Sequence, residues 1–584
     1  MYFLIKPDLN PFFGGTYFPP SSSFGRPGFR ELLEHLARAW KDEHERVLAS
    51  SENVLGQLRA LAEPGQAAAA PDPSLLESAF LQLRRTFDER WGGFGSAPKF
   101  QRPANFNFLA RYYARASNGE AIEMVAKTLA AMSAGGIHDH LGGGFHRYSV
   151  DERWFVPHFE KMLYDQAQLL VACAEAHRIT GDERLAKTAR GIASYLLRDM
   201  TDAEGCFYSA EDADSPDPDD PSHAGEGSFY TWKKSEIARL LGRDSDLFCA
   251  RYGVEDQGNV EQDPHGEFSG RNILYEAMSE DEAARGAGIA PGQENSALER
   301  ARNTLLEARA KRPRPHLDRK ILTSWNGLAI SALARASLLL DEKKYLEAAE
   351  RAAAFLLDRM YDAGSGDLLR RFCDGEAAIP GFLDDYALLA TALLDLFEAA
   401  FEPRYLQIAC ALARRTLDLF EDRESGGFFS SRKDSMGLVL RVKDDYDGAE
   451  PSGNSAATDL LLRLARITGD DAFRAAADRS LRAFTPKIKA QPLIAPGMLV
   501  AIDRSFAEPE QVVVRCAEIG SEVERILRER RARFAPYSLT IAVTDDSAAD
   551  LSRVAPFLGS LERKGRITIY ECGNFTCELP KILD

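Results

Sequence analysis

Cysteine is scarce in this chain: 584 residues contain eight, and they are scattered. A secreted scaffold built on disulfides needs a far higher density, so that class is excluded, and the scarcity fits a reducing cytosol. No two cysteines have the C-x-x-C spacing of a dithiol active site. Cys572 and Cys577 are the only close pair, and we expect them to be free thiols, buried or incidental.

Long apolar runs and basic blocks are also missing. No stretch reaches the 18 consecutive apolar residues of a membrane-spanning helix. The start, MYFLIKPDLNPFF, lacks the charged region and apolar run of a secretory signal. The formal net charge is −17, which disfavours nucleic acid and anionic membranes as partners. We therefore expect a cytoplasmic globular protein that binds neither membrane nor nucleic acid; a protein partner is left open.

What the chain does contain is a repeat. Segments from Tyr164, Asn326, Asp385 and Asn454 each read as an Ala/Leu-rich helix, a short polar turn and a second amphipathic helix. In three of them an aspartate-led loop with glycine follows. The turn between the helices and the loop aspartate are 20 or 21 residues apart. The interval is 21 residues from Gly181 to Asp202, 21 from Asp341 to Asp362 and 20 from Glu402 to Asp422, and a fifth unit runs 21 residues from Asn118 to Asp139.

Stacked helical hairpins form either an open solenoid or a closed ring. About twelve helices with long aromatic-rich loops favour closure, so we predict a mainly α protein: an (α/α)6 toroid over residues 74–490. The loops 91–103, 139–160, 202–232, 312–325, 362–384 and 422–454 should meet at one mouth. The predicted helices are 74–87, 103–116, 119–134, 160–179, 182–199, one within 233–310, 296–311, 325–340, 343–360, 382–400, 403–420 and a pair over 453–487.

The two ends of the chain differ from the middle. Residues 1–62 read as a strand-like start, the turn PFFGGTYFPP and one helix over about 28–60, before the linker EPGQAAAAPDP. Residues 506–584 read as strand, helix, strand and strand, from QVVVRCA, SEVERILRERRARF, YSLTIAVT and RITIYEC. We predict a small α/β region there.

Several long motifs resemble one known family. They are GGGFHRYSVDERWFVPHFEKMLYDQAQL at 142–169, SAEDADS at 209–215, LTSWNGL at 322–328, FLDDYALL at 382–389 and DGAEPSGNSAA at 447–457. They resemble the spermatogenesis-associated thioredoxin-domain family over nearly the whole chain. The resemblance implies a thioredoxin-like domain followed by a six-hairpin toroid similar to those of sugar 2-epimerases and glycosidases.

Two departures from the family pattern bear on function. The family carries a cysteine motif upstream of PFFGGTYFPP, and here only about ten residues precede that turn. We therefore expect most of the thioredoxin-like domain, with its redox cysteines, to be missing, so that residues 1–62 are a partial segment. Arg319 stands where the family usually has an acidic residue.

Candidate site residues cluster on the loops and at the first turns of the predicted inner helices. A rim of aromatic rings and carboxylates suits a sugar, because rings stack on its C–H faces and carboxylates bond its hydroxyls. Loop pinning could account for the histidines, and helix capping for the paired aspartates. The candidate catalytic residues are His158, Asp384, Asp385, Glu450 and His146, and the candidate substrate-binding residues are Arg147, Trp154, Glu160, Tyr164, Asp165, Trp325, Asn326, Tyr386 and Asn454.

His158 is the candidate base. It follows Pro157 at the start of a predicted helix, whose positive end should lower the pKa of the imidazole and keep it neutral. His138 and His140, with His146 and His158, match no standard metal spacing, and SAEDADS reads as a solvated loop. We therefore predict neither a metal nor a cofactor.

Three functional interpretations remain open from the sequence. The first is a carbohydrate-active enzyme, epimerase-like or isomerase-like, or hydrolase-like, acting on a small-molecule or oligosaccharide ligand. The second is a redox or chaperone-like accessory protein whose toroid does not catalyse. The third is a sugar-binding protein without turnover, which fold analogy does not distinguish from the first.

The cysteine spacing predicts that the chain has no thioredoxin-like disulfide reductase activity. Without C-x-x-C, no second thiol is placed to resolve a mixed disulfide. An insulin-reduction assay should give the same rate for the protein and for a variant with every cysteine replaced by serine. A clearly faster rate for the unmodified protein would contradict the prediction.

Overall fold

The structure, a computed structural model, describes residues 2–16, 18–22, 27–62, 68–218, 220, 222–261, 268–508 and 510–584. The helices are α1 (Phe29–Asp42), α2 (His44–Ala62), α3 (Ser74–Thr86), α4 (Pro103–Ala116), α5 (Gly119–Ala134), α6 (Leu163–Thr180), α7 (Glu183–Asp199), α8 (Lys234–Leu241), α9 (Ser245–Arg251), α10 (Glu280–Gly286), α11 (Glu294–Arg309), α12 (Thr323–Leu339), α13 (Lys343–Arg359), α14 (Leu383–Ala400), α15 (Pro403–Phe420), α16 (Gly453–Thr468), α17 (Asp471–Ala490), α18 (Pro496–Ser505), α19 (Ser521–Arg531), α20 (Asp545–Ser552) and α21 (Pro556–Ser560). The strands are β1 (Tyr2–Ile5), β2 (Pro11–Gly15), β3 (Lys99–Phe100), β4 (Tyr148–Ser149), β5 (Pro157–His158), β6 (Lys161–Met162), β7 (Ala210–Glu211), β8 (Asp214–Pro216), β9 (Ala224–Glu226), β10 (Leu317–Asp318), β11 (Ile321–Leu322), β12 (Tyr361–Asp362), β13 (Asp367–Cys373), β14 (Glu376–Pro380), β15 (Gln511–Cys516), β16 (Leu539–Thr544), β17 (Ile567–Gly573), β18 (Thr576–Cys577) and β19 (Lys581–Leu583).

Six helices form a closed inner ring. In order around the ring, α4, α6, α12, α14, α16 and α18 each pack against the next, and α18 packs back on α4. The outer helices α5, α7, α13, α15 and α17 each pack on the inner helix that precedes them, and α3 packs on α18. Inner helices are covered on several sides, which is why α14 is apolar almost all round. The predicted (α/α)6 toroid is confirmed.

The helix that closes the ring was not predicted. The sixth hairpin is split: its outer helix, α3, precedes the other hairpins, and its inner helix, α18, follows them. The ring therefore runs beyond the predicted end at residue 490. Because α18 lacks an adjoining outer helix and loop aspartate, it carries no repeat signature in the sequence.

The predicted helices within 233–310 were counted as part of the ring. Helices α8 to α11 instead form an insertion outside it. They pack on one another around a separate hydrophobic core that includes Trp232, Phe248 and Leu298. The insertion leaves the ring after β9 and returns before β10.

The loops that enter the inner helices are joined at one end of the ring. Strand β3 pairs with β4, and β4 with β5; β7 lies between β6 and β10; β11 pairs with β13. Leu383 N–H donates to Ser430 O at 3.0 Å, and Asp447 N–H donates to Ile494 O at 3.0 Å. These links run from loop to loop, which confirms a single mouth with the amino ends of the inner helices around it.

The repeated loop aspartates shape tight hairpins after the outer helices. The carboxylate of Asp139 accepts the N–H groups of Leu141 and Gly142, at 3.1 and 2.9 Å. Asp202 and Asp422 accept N–H groups two to four residues ahead in the same way. Such Asx turns reverse the chain within a few residues. The 20–21-residue spacing is therefore the spacing of one structural turn.

Side-chain amides then clamp each hairpin to the next inner helix. In the first turns of α6, α12 and α16, one amide side chain bonds both the N–H and the C=O of a phenylalanine in the preceding loop. The pairs are Gln166 with Phe145 (2.8 and 2.7 Å), Asn326 with Phe207 (2.9 and 2.9 Å) and Asn454 with Phe428 (2.7 and 2.9 Å). At α14 the hydroxyl of Tyr386 accepts Leu368 N–H at 2.9 Å. We call these contacts the amide clamps, and Tyr386 their counterpart.

The regions outside the ring mostly follow the prediction. At the amino end, β1 and β2 form a hairpin, and the single predicted helix is two helices that meet at Glu43. At the carboxyl end, β15 pairs in parallel with β16 and antiparallel with β17, and α19 crosses between the parallel strands. The small α/β region is as predicted. None of the helices in the described ranges is both long and apolar enough to cross a bilayer.

Cys572 and Cys577 form a disulfide, so the prediction of two free thiols was wrong. The two residues lie directly opposite each other on β17 and β18. Gly573 and Thr576 also pair across the hairpin, and Asn574 and Phe575 make the turn. A spacing that looks incidental in the sequence therefore brings the sulfur atoms together.

Replacing a clamp residue should destabilise the toroid. In Asn326→Leu, the buried N–H and C=O of Phe207 lose their partner, and an orphaned buried polar group costs about 1–3 kcal/mol. We expect a melting temperature several degrees lower by calorimetry. The matched control is Asn295→Leu on the exposed surface of α11, which should melt like the parent; equal melting of the two variants would contradict the clamp's role.

Candidate active site at the mouth of the toroid

Charged and aromatic side chains gather at the mouth, above the amino ends of α6, α12, α14 and α16. They come from four loops of the rim and from the first turns of α6, α12 and α14. We call the following set the mouth cluster: Arg147, His158, Glu160, Tyr164, Asp165, Glu226, Trp325, Arg370, Asp384 and Glu450. Below it, a cavity of about 260 Å³ continues between the inner helices and is lined near the mouth by Gln168, Leu328 and Pro451.

Glu450 is the carboxyl group best suited to proton transfer. Its Oε2 accepts the Nε1–H of Trp325 at 2.5 Å, which fixes its direction. Burial raises its pKa to about 7, and the negative charge of Asp384 adds to the shift, while the Trp325 hydrogen bond and Arg370 oppose it. A carboxyl group with this pKa is present in both protonation states near neutral pH.

Asp384 and Asp385 are adjacent but have different environments. Asp385 is fully buried and accepts N–H groups of Ser324 at 3.1 Å and Phe382 at 2.9 Å, so it caps α14 and ties it to α12. Burial and the charge of Asp384 raise its pKa, while Arg370 opposes the shift. The Asp384 side chain is 27% exposed and is held by Arg370 Nη1 at 2.9 Å. Of the two, Asp384 is the one that a ligand at the mouth can reach.

Asp165 and Tyr164 extend the cluster along the first turn of α6. Asp165 is buried, and its Oδ2 has no hydrogen-bond partner among the described residues. Burial raises its pKa well above the usual range, with Arg147 opposing, which favours the protonated form. The Tyr164 ring meets the Trp325 ring edge-on, with centroids 4.7 Å apart. Two aromatic rings and a buried carboxyl group thus border Glu450.

His158 was predicted to lie in the first turn of a helix, and this prediction is wrong. It belongs to β5, paired with Tyr148, and the chain stays extended until α6 begins at Leu163. Lys161, which follows, is buried and bound to Asp139 at 2.8 Å, which holds this extended course. Pro157 suits a strand at the edge of a sheet as well as the first turn of a helix.

The predicted lowering of the His158 pKa is also wrong. Its Nδ1 lies 2.7 Å from Glu226 Oε1, and its Nε2 lies 3.2 Å from Glu160 Oε2. The hydrogen bond to Glu226 raises the pKa of the imidazole above its usual value, burial opposes, and both carboxylates add attraction. Both ring nitrogens of His158 thus face carboxylates, which favours the protonated imidazolium form over a neutral base.

Five predicted site residues lie inside the wall of the mouth. The ring of His146 is buried against Phe159 and Tyr230, and burial lowers its pKa well below the usual range. Trp154 is buried and donates Nε1–H to Trp91 O at 3.0 Å. The polar groups of Asn326, Asn454 and Tyr386 are engaged in the amide clamps and their counterpart. These five side chains support the mouth without facing it, because their polar atoms are hydrogen-bonded to the backbone of the surrounding loops.

Two members of the cluster were missed by the sequence analysis. Glu226 lies on the short strand β9, 68 residues after His158, and also accepts Phe159 N–H at 3.0 Å. Arg370 lies on β13 and bonds both aspartates of α14. Neither residue belongs to a motif of mixed aromatic and acidic residues in the sequence. Their place in the cluster is recognised only from their contacts with residues of other loops and helices in the structure. Within the described ranges, no group of three His, Cys, Asp or Glu residues is arranged to hold a metal ion.

The closed ring of six inner and six outer helices, with its polar and aromatic mouth, defines a six-hairpin toroid protein. The chain belongs to the family of spermatogenesis-associated protein 20. It is 37% identical to the human protein of that name over 605 residues, which is 99% of this chain and 77% of the human one. The mouse protein is 37% identical over 610 residues, 99% of this chain and 76% of its own.

A thioredoxin-type family profile matches the amino end. It is Thioredox_DsbH, described as a protein of unknown function, DUF255, and it covers residues 1–59. The predicted thioredoxin-like segment is thereby confirmed.

Solved structures similar to the chain include two sugar-converting enzymes. One is D-mannose isomerase, with a TM-score of 0.45, 12% identity, and coverage of 71% of this chain and 88% of that chain. The other is cellobiose 2-epimerase from Bacillus thermoamylovorans, with a TM-score of 0.44, 11% identity, and coverage of 72% and 88%.

The raised pKa of His158 predicts a pH-dependent contribution to stability. The ion pairs with Glu226 and Glu160 stabilise the fold fully below the unfolded-state pKa of about 6.5, and this contribution is lost as pH rises through the higher folded-state value. Replacing His158 by Gln should therefore lower the melting temperature more at about pH 5.5 than at about pH 9. His35→Gln, at an exposed position of α1, should show no such difference, and a pH-independent loss for His158→Gln would contradict the ion-pair assignment.

Proposed function

We propose that the mouth cluster is the active site of a carbohydrate-active enzyme, with Glu450 as the general acid. The observation that carries the proposal is the Glu450 carboxyl group at the mouth, which Trp325 holds by a hydrogen bond of 2.5 Å and whose pKa burial raises to about 7. It is oriented by Trp325 and acts beside a second carboxylate, Asp384. Perturbed carboxyl groups of this kind concentrate at functional sites.

The paired carboxylates favour cleavage of a glycosidic bond. Such cleavage uses one protonated carboxyl group to donate to the leaving oxygen and one carboxylate to activate water or attack the sugar. Environments that push two carboxyl groups apart in pKa assign these roles. In the proposal, Glu450 donates the proton, and Asp384, held by Arg370, is the carboxylate.

The remaining cluster suits the binding of a sugar. Trp325, backed by the buried ring of Tyr164, presents aromatic surface to the C–H face of a pyranose ring. Arg147 and Glu160, with His158 bonded to Glu160, supply hydrogen bonds to hydroxyl groups. Arg147 Nη1 bonds Glu160 Oε2 at 2.6 Å, which fixes both side chains in position before a ligand arrives. Such pre-ordering lowers the entropy cost of binding.

The alternative of sugar epimerisation or isomerisation is less well supported. Those reactions need a base near neutral pKa next to a carbonyl, most naturally a neutral histidine. Both ring nitrogens of His158 face carboxylates, which raise its pKa, and His146 is buried in the wall. A hydrolase-like reaction uses the groups that the mouth presents.

The test is a screen of oligosaccharides and aryl glycosides with the products read by NMR. For a substrate found in this way, Glu450→Gln should lower kcat by about 10²–10⁴-fold with little change in KM, because proton donation acts in the transition state. In the parent protein, kcat/KM should fall as pH rises through about 7, as the acid of the free enzyme loses its proton.

Glu424→Gln, on an exposed loop after α15, is the matched control and should keep full activity. Release of a reducing sugar supports hydrolysis, whereas an altered free sugar of the same mass supports epimerisation or isomerisation. Full activity of Glu450→Gln would exclude the proposed acid.

A further inference from the structure

Three aromatic rings form a stack on a short sheet at the rim of the mouth. In this sheet β4 lies between β3 and β5. Tyr148 on β4 is directly opposite Phe100 on one side and His158 on the other, and such opposite residues share one face of a sheet. The ring centroids of Phe100 and Tyr148 are 4.8 Å apart, and those of Tyr148 and His158 are 5.0 Å apart. We call these three rings the rim stack.

The two faces of this sheet have different environments. The residues that alternate with the three rings along the strands are all buried; they are Lys99, Ser149 and Pro157. On the face of the rings, exposure rises outward. The side chain of His158 is 25% exposed, whereas Phe100 is 46% exposed. The rim stack therefore faces solvent, and its outer end is the more open one.

The inner end of the rim stack belongs to the mouth cluster. His158 Nδ1 lies 2.7 Å from Glu226 Oε1, and its Nε2 lies 3.2 Å from Glu160 Oε2. These contacts fix the imidazole ring, and Tyr148 stacks on it. The ring of Phe100 thus rests on a support that is ordered before a ligand arrives, which lowers the entropy cost of binding.

Phe100 is a large aromatic side chain that lies outside the hydrophobic core. In the described part of the chain β3 is the edge strand of its sheet, so no strand covers the outer side of the ring. Val150, two residues after Tyr148, is also about half exposed, while Arg102 and Glu152 nearby in the chain are exposed and charged. So small an apolar patch falls well short of a protein interface, which needs about 800 Å² from each partner. A flat ring with polar neighbours suits the C–H face of a sugar.

We propose that the rim stack binds an outer unit of an oligosaccharide whose inner unit lies at the mouth cluster, with Phe100 as the stacking platform. The inference rests on the proposed carbohydrate activity of the mouth and adds the substrate class, a glycan chain and not a monosaccharide. Phe100 lies two strand spacings, roughly 10 Å, from His158. That distance exceeds the width of one pyranose ring, so a ligand that contacts both residues has at least two linked sugar units.

The experiment measures affinity against chain length in Glu450→Gln, which lacks the proposed acid and so does not consume the probes. The probes are cello-, malto- and manno-oligosaccharides of one to six units, and titration calorimetry gives their dissociation constants. In the series that binds, the dissociation constant should fall by about three- to tenfold once the chain is long enough to reach Phe100, and then level off.

A second substitution in the Glu450→Gln background isolates the contribution of the ring. Phe100→Ala should weaken binding of the long probes by about three- to tenfold and leave the monosaccharide unchanged. Phe100→Leu, which keeps apolar surface without a flat ring, should lose most of the gain, and Phe100→Trp should keep it. Because Phe100 lies outside the core, Phe100→Ala should melt like its background.

The matched control is Phe575→Ala, which removes an exposed ring in the turn between β17 and β18. It should bind every probe like its background, because that turn is outside the toroid.

Three outcomes would overturn the proposal. The first is no binding, or affinity independent of chain length, in every series. The second is an equal loss for short and long probes in Phe100→Ala. The third is a change from dimer to monomer in Phe100→Ala by sedimentation, which would make the ring a contact between two copies of the chain.

Failure of the rim stack is distinguishable from failure of the proposed active site. Length-dependent binding that Phe100→Ala abolishes, together with no turnover of any probe by the parent protein, would support the rim stack and refute the active site. Turnover by the parent without length-dependent binding would support the active site and refute the rim stack.

Discussion

The structure depends on the way one side-chain amide satisfies two backbone groups of a neighbouring loop. A loop buried at the top of a helical ring would otherwise leave N–H and C=O groups without partners, at a cost comparable to a core cavity. An amide has a donor and an acceptor at a fixed separation, so Gln166, Asn326 and Asn454 each meet the need of one phenylalanine. Because each clamp residue lies in the first turn of an inner helix, the rim and the ring are held in register.

A fixed rim is what allows carboxyl groups to lie at low exposure near the mouth. Glu450 and Asp165 would escape to water on a loose loop, and their pKa values would return to normal. Glu450 is held by its hydrogen bond from Trp325, and Asp165 is held in the first turn of α6, so both carboxyl groups stay desolvated. Asp384 and Glu160 belong to the same cluster, but each of these two carboxylates forms an ion pair with an arginine. The mouth therefore holds both desolvated carboxyl groups and arginine-paired carboxylates within one small region.

The sequence was sufficient for the features that repeat. Asp139, Asp202, Asp362 and Asp422 marked the turns after the outer helices, and the hairpins, the ring and its mouth followed from their spacing. It was insufficient wherever pairing is non-local. His158 is in a strand because Tyr148 pairs with it, and its protonation is set by Glu226 from a distant loop. Helix α18 was missed because its outer partner, α3, lies at the other end of the ring's sequence.

All six inner helices begin at the mouth and run in the same direction, so their peptide dipoles add instead of cancelling. In an antiparallel bundle neighbouring dipoles oppose each other, and the interior has no preferred axis. The dipoles by themselves orient a polar molecule in the lumen with its electron-rich end toward the mouth. The carboxylates at the mouth and the arginines in the last turns of α4, α6, α16 and α18 act in the opposite direction, so charged side chains and helix dipoles oppose each other along one axis.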